Sequence, residues 1–281
     1  VNIFEQTNSL QAHLNALKQN GKTVGFVPTM GALHDGHCSL IREAKEVCDV
    51  VVCSIFVNPT QFNETSDFSN YPRTIDADID ILERENCDIL FHPSHKEVYP
   101  KNIAPTDFDF GKLELVMEGE HRPGHFKGVA MVVKRLFEMV QPDQAFFGLK
   151  DYQQFLIIRE LTNQLSLSIK ITGCPIVREN SGLAMSSRNQ HLSEQQKEGA
   201  TVLHRMLHDL KQNTEKESVA LEKQKITAAV TQAGLEIEYI EIADANSLQP
   251  ISDWDSTRPT NAFIAAFTGP VRLIDNMIIF A

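Results

Sequence analysis

Residues 24–57 read VGFVPTMGALHDGHCSLIREAKEVCDVVVCSIFV, and this stretch holds a strand, a turn, a helix and a second strand. Val24–Val27 is a short apolar run, stopped by Pro28. From about Gly36, Leu40, Ile41, Ala44, Val47 and Cys48 recur at helical spacing and predict one buried face. Val50–Val57 is rich in β-branched residues and ends at Asn58-Pro59, as a buried strand does. Two apolar strands separated by an amphipathic helix make a parallel βαβ unit, since parallel strands need a crossover between them. Outward from this unit the alternation continues. Thr74 is placed to cap a helix whose stripe is Ile75, Ile79 and Leu82, and Asp88–Phe91 follows as a strand. A helix after Gly128 carries Val129, Val132, Val133, Leu136, Phe137 and Val140. Ala145–Phe147 and Ser168–Thr172 are further strands, with a helix after Asp151 between them. The predicted fold class is α/β, a doubly wound parallel sheet with helices on both faces. The pattern then changes. Two charged helices over 194–234, joined by a polar stretch at Asn213–Glu217, precede strand candidates at Glu236–Ile242, Ala262–Phe267 and Val271–Phe280. A smaller C-terminal α+β domain is expected over 176–281, after a first domain over 1–175, with the boundary near Pro175-Ile176.

Composition narrows the function. The 281 residues are 42% hydrophobic and 22% charged, which excludes a disordered or collagen-like chain. The net charge of −11 argues against a broad basic footprint for nucleic acid or an anionic membrane. No apolar run approaches the ~18 residues of a membrane span. The longest, Val50–Val57, is interrupted by Ser54. Val1–Gln6 shows no basic segment followed by an apolar one, so no signal peptide is expected there. The five cysteines are odd in number and irregularly spaced, without a C-x-x-C pair. Reduced, mostly buried thiols in a cytoplasmic enzyme are expected.

In an open parallel sheet, ligands sit at the carboxyl ends of the strands. After the first quoted strand comes a turn in which Gly31 lets the backbone approach a ligand closely. His34 and His37 are three residues apart at a helix start, so both rings can point to one side. The helix N-terminus there offers free N–H groups and a partial positive charge, which together make a phosphate site. Gly31 and Gly36 have the spacing of a phosphate-cradling loop, but His37-Cys38 stands where Lys-[Ser/Thr] belongs. No G-x-G-x-x-G occurs, which removes the usual dinucleotide fingerprint. A metal pair at the two histidines lacks a local third ligand, and no protein-held metal is expected.

The turn is similar to the H-x-G-H signature of the nucleotidyltransferase and class I synthetase superfamily. The longer string Val27-Pro-Thr-Met-Gly-Ala-Leu-His-Asp-Gly-His37 resembles one family within it, the pantoate–β-alanine ligases (pantothenate synthetases). Ser54-Ile-Phe-Val-Asn-Pro-Thr-Gln-Phe62, Tyr71-Pro-Arg-Thr74, Arg122-Pro-Gly-His-Phe126, Phe147-Gly-Leu-Lys-Asp-Tyr-Gln-Gln154, Met185-Ser-Ser-Arg-Asn189 and Arg272-Leu-Ile-Asp-Asn276 carry the likeness in family order over nearly the whole chain.

The resemblance implies a Rossmann-like nucleotide- and pantoate-binding domain, with the second domain closing over the ATP site. It implies an ATP-dependent ligase that condenses (R)-pantoate with β-alanine through a pantoyl adenylate, releasing AMP and pyrophosphate. Mg²⁺ is expected with ATP, held mostly by phosphates and water. His34, His37, Lys150 and Arg188 are the implied catalytic residues, with His37 as proton donor, a charged imidazole donating to the transition state. Ser186 and Ser187 join Lys150 and Arg188 as phosphate donors. Met30, Gly31, Gly148, Leu149, Asp151, Val177 and Met185 complete the implied ATP contacts. Gln61 and Gln154 resemble the family's pantoate contacts, and neutral amides suit a substrate with two hydroxyls. Met30 and Tyr71 are placed to cover its gem-dimethyl group and the adenylate, with Asn58, Arg122 and His125 as further substrate-site candidates. For Arg122 and His125 the competing reading is a structural pair in a long loop, and for Tyr71 simple packing. The family is usually polar where Leu149 stands, which puts the aim of Lys150 in question. The resemblance also implies a homodimer, to which the apolar strand Val50–Val57 is expected to contribute.

Other features receive no role. His204 and His208 have Arg205 in place of the Glu of H-E-x-x-H, and a solvated helix face explains them. His92 and His95 flank Pro93 and read as a turn. Asp76, Asp78 and Asp80 alternate along a helix, so they diverge, and a charged helix start is the better reading. The rival enzyme is a nucleotidyltransferase that moves AMP onto a phosphate ester, which would want a further basic pocket. A rival outside enzymology is a nucleotide-binding module without catalysis, against which His34, His37, Lys150 and Arg188 argue together.

Overall fold

The structure, a computed structural model, describes residues 1–63, 65–101 and 107–281. Six strands form one parallel sheet: β1 (Asn2–Phe4), β2 (Val24–Thr29), β3 (Val50–Ile55), β4 (Ile89–Phe91), β5 (Gln144–Gly148) and β6 (Lys170–Cys174). Their order is β1-β4-β3-β2-β5-β6. Helices α1 (Thr7–Gln19), α2 (Asp35–Val47), α3 (Thr65–Asn70), α4 (Ile75–Arg84), α5 (His95–Val98), α6 (Glu118–His121), α7 (His125–Val140) and α8 (Tyr152–Gln164) fall between them. Helices α9 (Glu194–Gln212) and α10 (Val219–Gln232) precede an antiparallel sheet of β7 (Glu236–Asp244), β8 (Thr260–Thr268) and β9 (Val271–Phe280).

The strands read as continuous apolar runs because helices cover both faces. Val24, Phe26, Val50 and Val52 pack with Leu136, Phe137 and Leu161 on one side, while Val27, Val51 and Cys53 pack with Ile41 and Leu82 on the other. A third core, including Leu203, Leu207, Ile226, Ile264 and Ala266, joins α9 and α10 to the antiparallel sheet. The five cysteines are free thiols, four of them buried. Among the described residues no helix is long and apolar enough to cross a membrane.

Several local expectations change. The strand does not stop at Pro28 but runs to Thr29, because the β2–β5 pairing has already ended at Phe26 and Ala145 and Pro28 needs only one neighbour. Val47 is 59% exposed and Cys48 is the extended residue ending α2, so the buried face stops at Ala44. Thr74 makes no capping bond. The strand at Val50–Ile55 is paired with β2 and β4 on its two sides and buried throughout, so it offers no surface to a second copy. β1, three residues long, was too short to register as an apolar run.

Candidate active site

The chain goes from β2 toward β3 on one side of the sheet, while β5 lies on the other, so the strand order reverses between β2 and β5. The turn after β2 and the turn after β5 therefore face each other across the crevice where such sheets bind ligands.

The β2 turn is built around a buried carboxylate. Gly31 has φ +80°, and a Cβ there would lie 3.0 Å from both Asp78 Oδ2 and Ile55 Cγ2. Ala32 follows at φ +49°, an unusual conformation for a side chain-bearing residue. Asp78, 1% exposed, holds it there by accepting from Ala32 N at 3.0 Å and Leu33 N at 2.7 Å. Thr74 Oγ1 donates to the same carboxylate at 3.3 Å. Asp78 is thus not part of a solvated helix start. The signal was in its position, since Ile75, Asp78, Ile79 and Leu82 share one helical stripe.

The turn delivers His34 and His37 with ring centroids 4.1 Å apart. His34 caps α2, its Nδ1 accepting from Gly36 N at 3.1 Å, and His37 Nδ1 accepts from His34 N at 3.3 Å. A neutral imidazole that accepts at Nδ1 carries its proton at Nε2. Burial, then the cation of Lys150, push His34 down to about 4. Burial, then His34 and Lys150, push His37 down to about 3. Without a bound anion both rings are therefore neutral Nε2–H donors at pH 7. His125 is likewise pushed down to about 4 by burial and Arg122.

These values set a pH dependence. Between about 6.5 and 4 the unfolded chain binds protons that the folded rings refuse, so stability falls as pH drops through that window. The expected loss by pH 5 is on the order of 2 kcal/mol per ring. Urea unfolding from pH 7.5 to 5 measures it, and His37→Asn should flatten the profile. A variant profile with the parent's slope would refute the buried-neutral assignment.

Opposite, Lys150 lies in the 3-10 turn Leu149–Asp151 that follows β5. Leu149 points the other way: a Cβ on Gly173 would meet its Cδ2 at 2.6 Å, so its side chain backs onto β6. A cleft of about 230 Å³ collects Met30, His34, His37, Gln61, Tyr71, Gly148, Lys150, Asp151, Gln154, Val177 and Met185–Arg188. Ser187 Oγ donates to Ala32 O at 3.0 Å, tying the segment after residue 176 to the β2 turn. Arg188 pairs with Asp67 of α3 at 2.8 Å.

Three of the residues expected at the substrate site bond to Gln61. Asn58 is 1% exposed; its Nδ2 donates to Gln61 Oε1 at 3.1 Å and to Gly128 O at 3.2 Å, and its Oδ1 accepts from Tyr99 Oη at 2.9 Å. Gly128 lets α7 come this close, since a Cβ would sit 2.3 Å from Thr60 O. His125 Nδ1 donates to Gln61 O at 2.8 Å, and Arg122 Nη2 reaches the same oxygen at 3.4 Å. All three hold Gln61, because burial on α7 and in the adjoining turn leaves their polar atoms facing its amide and carbonyl. Arg122 also lines a wider cavity of about 800 Å³ that shares Tyr71, Lys150, Asp151, Ser186 and Arg188 with the cleft. In the wall of that cavity, Arg272 on β9 donates to both oxygens of Glu118 at 2.7 and 2.8 Å. Burial opposes the charge on Glu118, yet these bonds hold its carboxyl down to about 2.

The chain matches the family model described as Pantoate-beta-alanine ligase over residues 2–278. It is 45% identical over 276 residues to the pantothenate synthetase of Bacteroides thetaiotaomicron, covering 98% of each chain. With that of Acinetobacter baylyi it shares 47% over 272 residues and 95% of each chain. The solved pantothenate synthetase of Thermus thermophilus superposes with a TM-score of 0.93 at 38% identity, covering 100% of both chains. The Francisella tularensis pantoate-beta-alanine ligase, solved with beta-gamma ATP and beta-alanine, superposes at 0.83 and 36% identity, covering 99% of this chain and 98% of that one.

Proposed function

The chain belongs to the pantoate–β-alanine ligase family, and from that premise we propose that it joins (R)-pantoate to β-alanine at the expense of ATP through a pantoyl adenylate. In the first step a pantoate carboxylate oxygen bonds to the α-phosphorus while the bond to the bridging oxygen breaks, and pyrophosphate leaves. In the second the β-alanine amine bonds to the acyl carbon, loses a proton and expels AMP.

The first step brings anions together, so its barrier falls where donors and cations surround the triphosphate in a dry site. The observation that carries the reading is the meeting of two neutral Nε2–H donors, Lys150 and Arg188 with two glutamines in one cleft at the point where strand order reverses. His34 and His37 act as hydrogen-bond donors to phosphate oxygens, with Lys150, Ser186, Ser187 and Arg188 on the same charge. Bound triphosphate would raise both imidazoles, so proton donation by His37 belongs to the loaded site. Gln61 and Gln154 take the pantoate hydroxyls, and Met30 and Tyr71 its methyl groups. Gly31 frees the turn to approach the phosphates, while Gly148, the Leu149 backbone, Asp151, Val177 and Met185 take the nucleoside. Mg²⁺ enters as the ATP complex; Asp78 has both oxygens engaged by backbone N–H groups and fits no metal role. We further propose a division near residue 175, between the parallel sheet and the segment that closes on ATP, and a homodimer as the assembly.

Pantoate alone, without β-alanine, should support ATP–pyrophosphate exchange, because adenylation needs no amine. Exchange with a phosphate ester and none with pantoate would instead indicate the nucleotidyltransferase.

A further inference from the structure

Arg272–Asn276 carries part of the family likeness but no part in the reaction as described so far. It lies on β9, in the antiparallel sheet, and its last residue reaches the parallel domain. Asn276 is 4% exposed. Its Nδ2 donates to the carbonyl of Leu149 at 2.8 Å and to that of Lys150 at 2.9 Å. Both acceptors are carbonyl oxygens, so the amide can face them only through its nitrogen. Its Oδ1 accepts from Asn261 Nδ2 at 3.3 Å. Asn261 is fully buried on β8, two residues from Phe263, the register partner of Asn276. Among the described residues, the Oδ1 of Asn261 has no hydrogen-bond partner. A buried amide with an orphaned oxygen weakens a fold, so its presence calls for another use.

We propose that Asn276 is a positioning residue for Lys150, with Asn261 orienting its amide. The Leu149 carbonyl belongs to the peptide plane before the Lys150 Cα, and the Lys150 carbonyl to the plane after it. Holding both planes fixes φ and ψ of Lys150, and hence the direction in which its side chain leaves the backbone. The turn itself has no side-chain cap to do this. The antiparallel sheet thus aims the lysine from behind, and the side chain at 149 is free to be apolar. The inference rests on Lys150 serving the triphosphate.

The test compares pantoate-dependent pyrophosphate exchange, amide formation from supplied pantoyl adenylate, and the thermal midpoint. The variants are Asn276→Ala and Asn261→Leu, each alone and combined with Lys150→Ala. Asn276→Ala should lower exchange about tenfold or more and amide formation by less than about threefold, and it should add little once Lys150 is gone. Asn261→Leu should lower exchange several-fold while the midpoint changes little, since it removes one orphaned oxygen and leaves the Oδ1 of Asn276 without its donor. An equal loss from Asn276→Ala with and without Lys150 would overturn the coupling while leaving the functional reading intact. Full exchange in Asn261→Leu would also overturn it, and that variant decides the matter should Asn276→Ala fail to fold. If Lys150→Ala itself leaves exchange unchanged, the reading of Lys150 falls and this inference with it.

Discussion

Lys150→Ala should lower pantoate-dependent pyrophosphate exchange by roughly 10²–10³ or more, the loss expected when a preorganised charge aimed at developing negative charge is removed. The structure motivates the size of the effect. Lys150 sits at the carboxyl end of β5, lines both the narrow cleft and the wide cavity, and lies close enough to His34 and His37 to help keep both rings neutral. Its removal takes away the cation opposite the two Nε2–H donors, and two neutral imidazoles cannot replace it. Lys150→Arg should recover only part of the rate, because a planar fork on a different stem places charge elsewhere. Amide formation from supplied pantoyl adenylate should suffer less, since no pyrophosphate leaves in that step. An equal loss in both half-reactions would remove Lys150 from the triphosphate.

What the sequence made legible was whatever depends on periodicity or on a local turn. The apolar runs at β2 and β3 flank an amphipathic helix, so the parallel sheet follows from spacing alone. His34 and His37 are three residues apart at a helix start, while their meeting with Gln61, Lys150, Gln154 and Arg188 in one cleft was implied by the family resemblance and not by spacing. The parts that were not legible depend on contacts between distant segments. Asn58, Arg122 and His125 are polar residues near the motifs, and only packing of α7 on the Asn58–Gln61 turn turns their atoms toward Gln61. The neutrality of the histidines comes from burial, which no local pattern records. Arg188 was expected on phosphate, and the ion pair with Asp67 spans 121 residues of sequence. In the same way Asn276 meets Leu149 and Lys150 across two sheets.

Asp78 is where this limit has its largest consequence. Asp78→Ala should lose about 2–6 kcal/mol of stability, because two N–H groups at a buried turn lose their acceptor at roughly 1–3 kcal/mol each. Asp78→Asn should be nearly as damaging, since the two N–H groups face different oxygens and one of them would then meet the donor NH2 of the new amide. The effect on exchange should exceed what lost stability explains. Ala32 is held at positive φ from two sides: Asp78 takes its N–H, and Ser187 donates to its carbonyl. With one side released, the backbone relaxes toward an ordinary conformation and His34 and His37 move with it. A shift near 1 Å costs on the order of 100-fold, so Asp78→Ala should lose about that much per folded molecule. Leu207→Ala is the control, because Leu207 is fully buried in the C-terminal core and its truncation should cost a similar ~2–5 kcal/mol far from the turn. Exchange should be measured well below both thermal midpoints and corrected for the folded fraction. If the two variants then show the same activity, Asp78 is only a core residue. A deep loss confined to Asp78→Ala would mean that the strained alanine between an acid and a serine is what keeps the two imidazoles on the phosphates.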